Sequence, residues 1–180
     1  REDKLHRGIT CVVVEKDTPG FRVSKKEDKM GIRASSTCEL VFENCRVPLA
    51  NVLGEIGRGF PIAMALLDGG RIGIASQAVG IAQASIEASI KYAKERHAFG
   101  HPIGDFQAIR AKLAEMKART DAAELMTLRA AWLKDQGQPH GVEAACAKLL
   151  ASQAANFCAR EAVQIHGGAG YLEDFPVERH

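Results

Sequence analysis

Three runs of small and apolar residues at helical spacing, all beyond residue 59, constrain the fold of this chain most. Val79, Ala82, Ile86, Ile90 and Ala93 succeed each other at intervals of three and four, the period of one buried helix face. Phe106, Ile109, Leu113 and Met116 repeat that pattern after a break at Gly100, Pro102 and Gly104. Ala151, Ala154, Cys158, Ala162 and Ile165 repeat it again after Gly137 and Pro139. The spacing predicts three long helices over 60–96, 105–136 and 142–166. At about 1.5 Å per residue they span about 37 to 55 Å. Alanine-rich faces let long helices lie close together, so the pattern asks for an up-down bundle, and three helices leave one side of it open.

The first third of the chain reads differently. Gly8-Ile9-Thr10-Cys11-Val12-Val13-Val14 is β-branched and is followed by the turn signal Thr18-Pro19-Gly20. Leu40-Val41-Phe42 is a second such run, closed by Asn44 and Pro48. Between them Lys25-Lys26-Glu27-Asp28-Lys29 is a charge cluster expected in solvent, and Gly31 suggests a turn. Two or three strands cannot cover a hydrophobic face by themselves. Residues 1–58 are therefore expected to be the end of a β-sheet or barrel domain, and 59–180 most of a helical-bundle domain. The predicted class is α+β and multi-domain, with the bundle incomplete. Gly54, Gly57 and Gly59 read as a flexible joint between the two parts.

Composition narrows the classes. With 46% hydrophobic and 26% charged residues the chain reads as globular. A net charge of +2 is too small to argue for nucleic acid or an anionic membrane. No apolar run approaches the ~20 residues of a membrane span. The cysteines, at 11, 38, 45, 146 and 158, are odd in number and form no C-x-x-C pair, which points to free thiols in a reducing compartment. The chain opens Arg1-Glu2-Asp3, with neither an initiator Met nor a targeting segment, so this end names no compartment. Neither a phosphate-binding P-loop nor a dinucleotide G-x-G-x-x-G follows a predicted strand. His97 and His101 have the spacing of zinc ligands on a helix, but Gly100 and Pro102 end the helix between them and no glutamate follows His97. Two surface histidines are the expectation there.

Three segments carry unusual chemistry. In Asp68-Gly69-Gly70-Arg71-Ile72-Gly73 three glycines interrupt a helical pattern, each at about 1 kcal/mol against alanine. Either the helix kinks or packs tightly there, or a ligand approaches the bare backbone. In Glu95-Arg96-His97-Ala98-Phe99-Gly100 an arginine and an aromatic ring flank a helix end. Arg96 either complements the helix dipole or, beside Phe99, suits a phosphate attached to a heterocycle. In Gln164-Ile165-His166-Gly167-Gly168-Ala169-Gly170-Tyr171 a helix runs into glycines. A C-cap explains one of them; free backbone N–H groups and a side-chain amide that hold a polar ligand are the other reading.

The order of these segments resembles the acyl-CoA dehydrogenases: Leu67-Asp68-Gly69-Gly70-Arg71, then Glu95-Arg96 with Phe99-Gly100 and Pro102-Ile103, then Phe106-Gln107, then Gln164-Ile165 with Gly167-Gly168 and Gly170-Tyr171. Asp174 and Arg179 continue the last motif, and Lys25 to Arg33 with Ser35-Ser36-Thr37 resemble the short-chain, butyryl-type branch. The likeness runs from Gly8 to His180. It implies FAD held at a subunit interface and a short-chain acyl-CoA thioester dehydrogenated between its α and β carbons, as in fatty-acid β-oxidation. Electrons would pass to an electron-transfer flavoprotein, in a homo-oligomer that is a tetramer in the family. By matching position, Asp68, Gly69, Gly70 and Arg71 line the thioester and pantetheine. Arg96, Phe99 and Gln107 match contacts to the FAD pyrophosphate and adenosine. Gln164, Ile165, His166, Gly167 and Gly168 match contacts to the same cofactor, characteristically one bound by the neighbouring subunit.

The resemblance also implies an absence. The family's catalytic glutamate lies beyond the equivalent of Arg179-His180, and in the isovaleryl and long-chain branches the base stands where this chain has Gly70. These residues alone are expected to hold no catalytic base, to bind FAD poorly and to be inactive. An acyl-CoA oxidase using oxygen and a flavin-free helical assembly module are the alternatives. The mitochondrial matrix is implied for a eukaryotic member and the cytoplasm for a bacterial one.

Overall fold

The structure is a computed structural model that describes residues 7–180, so the opening Arg1-Glu2-Asp3 lies outside it. The chain forms two compact units that part between Ala65 and Leu66. In the first, strand β1 (Phe21–Lys26) pairs antiparallel with β2 (Cys38–Phe42), Phe21 opposite Phe42 and Val23 opposite Leu40, with an irregularity before Lys26. The Phe21 and Phe42 rings stack at 5.0 Å, an aromatic cross-strand pair that fixes the register. Gly20 makes the turn into β1: its φ is +84°, and a side chain there would run into the Glu43 carbonyl.

Two sequence expectations for this unit are corrected. The run from Gly8 to Val14 forms no strand; it contributes one bridge, Val12 to Val52, flanked by Val13 N–H to Asn51 O and Leu53 N–H to Cys11 O at 2.9 Å each. β-branched residues favour a pleated surface, but a strand needs a partner along its length, and here the partner is a single residue. Lys25 and Lys26 end β1 with their side chains exposed, so the charge cluster stands in solvent as expected. The glycine joint is also tighter than expected. Gly57 N–H donates to Thr10 Oγ1 at 2.9 Å and Gly59 N–H to Ile9 O at 2.8 Å. A Cβ on Gly59 would stand 2.5 Å from Cys11 N, so this glycine is required by close backbone approach rather than by flexibility.

Helix α1 (Gly59–Glu95) starts in the first unit and continues through the second. It is followed by a small hairpin, β3 (His97–Ala98) and β4 (His101–Pro102), and by helices α2 (Gln107–Asp135) and α3 (Gly141–His166). Single 3-10 turns at Gly167–Tyr171 and Pro176–Arg179 close the described residues. All three predicted helices are present within two residues of their expected ends.

Alanine builds half of the bundle core: Ala75 and Ala78 of α1, Ala123 and Ala130 of α2, and Ala147, Ala151, Ala154 and Ala155 of α3 form one cluster. Larger side chains, among them Ile86, Met116, Cys158 and Ile165, fill a second cluster toward the far end. The α3 stripe read from the sequence is buried throughout; in the α1 stripe Ala82, Ile86 and Ala93 are buried, Val79 is partly buried and Ile90 is not. Ile90 is 38% exposed and Ser89 takes the buried place. The hydroxyl is tolerated because it donates to Ser85 O at 2.7 Å, four residues back. Ser85, Thr120 and Thr127 are satisfied in the same way. No helix among the described residues is long and apolar enough to cross a membrane.

Candidate functional site

The glycine-bearing segment lies inside α1 without breaking it. Arg71 Nη1 pairs with Asp68 Oδ1 at 2.5 Å, one turn apart on the same face. The other carboxylate oxygen of Asp68 lies beside Gly141 at the start of α3. A Cβ built on Gly70 or Gly73 would meet nothing within 4 Å, whereas one on Gly69 would meet Lys134 Nζ at 2.8 Å. Close contact therefore accounts for Gly69, against Lys134, but not for Gly70 or Gly73, where bare backbone faces open space among the described residues.

The second group gathers where α1 ends and α3 ends. A cleft of about 360 Å³ is lined by Tyr92, Arg96, Ile103, Ile165, His166, Gly167, Gly168 and Ala169. It brings together five residues singled out by sequence: Arg96, Ile165, His166, Gly167 and Gly168. Phe99, Gln107 and Gln164 lie outside its lining. Phe99 sits at the hairpin tip with φ +53°, 94% exposed, its ring edge-on to Phe106 at 6.3 Å. Gln107 is the exposed first residue of α2, and Gln164 is exposed on the last turn of α3. His97 and His101 stand on this hairpin and not on a helix, and no group of three metal-ligating side chains occurs among the described residues.

Local structure explains why the cleft has this form. Gly167, at φ +59°, ends α3 and spends its N–H on Gln164 O, so that donor serves the C-cap. A Cβ on Gly167 or Gly168 would meet nothing within 4 Å, so the backbone lies open there. Arg96 is held by Arg96 N–H to Tyr92 O and Ile103 N–H to Arg96 O, both 2.8 Å. No acidic side chain pairs with its guanidinium among the described residues, which leaves a charge for an outside anion. His166 is 4% exposed and stacks on Tyr92 at 4.2 Å, with Phe175 edge-on to both rings. Its Nδ1–H donates to Ala162 O at 2.8 Å, since a carbonyl only accepts. Nearby, burial and then Arg179 and His166 push the His180 imidazole below its ordinary pKa, and His180 Nδ1 lies 3.1 Å from Ser85 Oγ. Sequence reasoning missed Tyr92 and Ile103; the signal for Tyr92 was its place one helical turn before Arg96.

An unpaired guanidinium and exposed glycine backbone in one cleft fit a pyrophosphate-bearing group such as FAD. The two groups are far apart. Twenty-six residues separate Gly70 from Arg96 along what is almost wholly one helix, about 39 Å at 1.5 Å per residue.

Residues 57–180 match the family described as acyl-CoA dehydrogenase, C-terminal domain, and residues 1–45 match acyl-CoA dehydrogenase, middle domain. The chain belongs to the acyl-CoA dehydrogenase family. It is 54% identical over 177 residues to the short-chain specific acyl-CoA dehydrogenase of Rattus norvegicus mitochondria, covering 98% of this chain and 43% of that protein. Among solved structures, butyryl-CoA dehydrogenase of Megasphaera elsdenii superposes with a TM-score of 0.96 at 52% identity, over 99% of this chain and 46% of the other. A chain in a structure of the electron transferring flavoprotein of Acidaminococcus fermentans, concerned with flavin-based electron bifurcation, matches equally well, with TM-score 0.96, 48% identity, and 99% and 47% coverage. The chain thus spans less than half the length of these acyl-CoA dehydrogenase relatives. Their fold is that of the present structure, a helical bundle preceded by a small piece of middle-domain sheet.

Proposed function

We infer that the protein to which these residues belong is an FAD-dependent dehydrogenase of short-chain acyl-CoA thioesters that passes electrons to an electron-transfer flavoprotein. The observation that carries this reading is the cleft at the end of α1 and α3, where Arg96 has no acidic partner and shares the lining with Gly167 and Gly168. Identity above 50% to short-chain and butyryl-CoA dehydrogenases supports the substrate class. A chain 48% identical in an electron-transferring flavoprotein structure supports the partner. The boundary between the middle and helical domains falls at 58/59 in this reading, where α1 begins.

FAD, when bound, would supply the two-electron acceptor. The chain's own residues then have separate tasks. Arg96, Gln107 and the Gln164–Gly168 segment hold phosphate and adenosine, with Phe99 exposed beside them as a stacking surface. Asp68 and Arg71, fixed to each other, frame the open backbone at Gly70 against which a flat thioester can lie. The ~39 Å between the two groups exceeds what one bound cofactor's reactive end and phosphates need, which supports two half-sites serving different subunits of a homo-oligomer. A base for the α-proton comes from outside these residues, since Gly70 cannot take that part. Fatty-acid β-oxidation is the setting, in the mitochondrial matrix for a eukaryotic source and the cytoplasm for a bacterial one.

The test is the visible spectrum of the full-length protein, followed by butyryl-CoA without air. A flavin absorbance that bleaches on addition, and recovers with electron-transfer flavoprotein faster than with oxygen, is expected. A flavin that stays oxidised moves the substrate elsewhere, fast recovery in air favours an oxidase, and a protein that takes up no FAD overturns the reading.

A further inference from the structure

Lys134 stands in the last turn of α2, where it is the basic residue of that turn. Its ammonium reaches α1 at one point: a Cβ on Gly69 would lie 2.8 Å from Lys134 Nζ and 3.8 Å from its Cε. The missing side chain at Gly69 is what lets the lysine lie against the helix there. Among the described residues no carboxylate pairs with Lys134, although Asp135 follows it. The neighbouring charges cancel: Asp68 and Arg71 neutralise each other at 2.5 Å. The cation beside the Asp68–Arg71 segment that no carboxylate pairs with is therefore Lys134, not Arg71. A lone exposed cation next to a cradle for a neutral chain suits a ligand whose anionic part lies just beyond that chain.

We propose that Lys134 is a further substrate-binding residue, which attracts the nucleotide phosphates of the acyl-CoA thioester from across Gly69. This rests on the acyl-CoA reading above and adds a residue from α2 to a site otherwise built on α1. Lys134 touches no reacting atom, so its contribution is to affinity rather than to the chemical step. A purely structural role, complementing the dipole at the end of α2, would act on every substrate alike.

The experiment compares butyryl-CoA with butyryl-pantetheine, which has the same thioester and pantetheine but no phosphates, on the full-length enzyme. Lys134→Gln is expected to raise KM for butyryl-CoA about 2- to 5-fold, the size of one solvent-exposed charge interaction. The rise should fade at high salt, leave butyryl-pantetheine kinetics where they were, and be reversed by Lys134→Arg. An equal change for both thioesters, or none for either, overturns the proposal. A wild-type enzyme that turns over neither thioester overturns the dehydrogenase reading itself, and this proposal with it.

Discussion

Cys158 is fully buried, with its Sγ 3.5 Å from Thr120 Oγ1 and 3.7 Å from the Met116 carbonyl that it donates to. Burial pushes its thiol above the ordinary value of 9.0, and the Thr120 hydrogen bond and the Arg119 charge offset part of that rise. The unfolded thiol ionises first as pH climbs past about 9, so the unfolded state holds fewer protons there and stability falls. Below that pH the contribution is fully present. The denaturant midpoint of the full-length protein is therefore expected to drop between neutral pH and pH above 9, and to drop less in Cys158→Ala, which itself loses about 1 kcal/mol at neutral pH. A native thiol-labelling series at pH 8 checks the same point: exposed Cys146 reacts first and Cys158 only with unfolding. An alkaline slope unchanged by the substitution would remove Cys158 as its source.

Among elements, α2 and α3 are tied by more than alanine packing. Lys112 Nζ is paired with Glu161, whose side chain is 11% exposed, while Arg160 lies 3.6 Å from its other oxygen. Removing the lysine leaves a buried carboxylate with the weaker partner, so Lys112→Met is expected to cost about 1–3 kcal/mol. The double variant Lys112→Met/Glu161→Met should recover most of that loss, as a thermal unfolding cycle will show. This pair was not readable from the chain, because 49 residues separate its members. The α3 stripe was readable, since Ala151 to Ile165 carries its own period. The α1 stripe was readable except where Ser89 replaced Ile90 in the core, a substitution possible because a helix can satisfy a hydroxyl internally. The strands were not: whether Val12 or Val23 enters a sheet depends on a partner far along the sequence, not on local preference. The cleft lay between these cases. Arg96 and Gly167–Gly168 announced themselves by type, but only packing of the α1 and α3 ends shows that they share one lining with Tyr92 and Ile103.

At the scale of the whole molecule the three helices keep apolar faces in solvent. Leu125, Leu128 and Trp132 follow one another along α2 at 68%, 58% and 55% exposure, and Val142, Leu149 and Leu150 are exposed on α3. Spacings of three and four place the α2 residues on one stripe, and a stripe of that kind favours association when left bare. The 180 residues expressed alone are therefore expected to self-associate in sedimentation velocity, with a weight-average mass that rises with concentration. Trp132 is the chain's single tryptophan, so its emission reports directly on this stripe. The maximum should shift to the blue as the mass rises, and Leu125→Gln with Leu128→Gln should hold both at their dilute values. Association driven through the first unit instead would raise the mass without moving the emission, and the double variant would then leave it unchanged. On the proposed function the same sample is expected neither to bleach FAD with butyryl-CoA nor to turn the thioester over, because Gly70 offers no proton acceptor at the base position that the family resemblance assigns to it. Turnover by this chain alone would mean that a base had been overlooked within it.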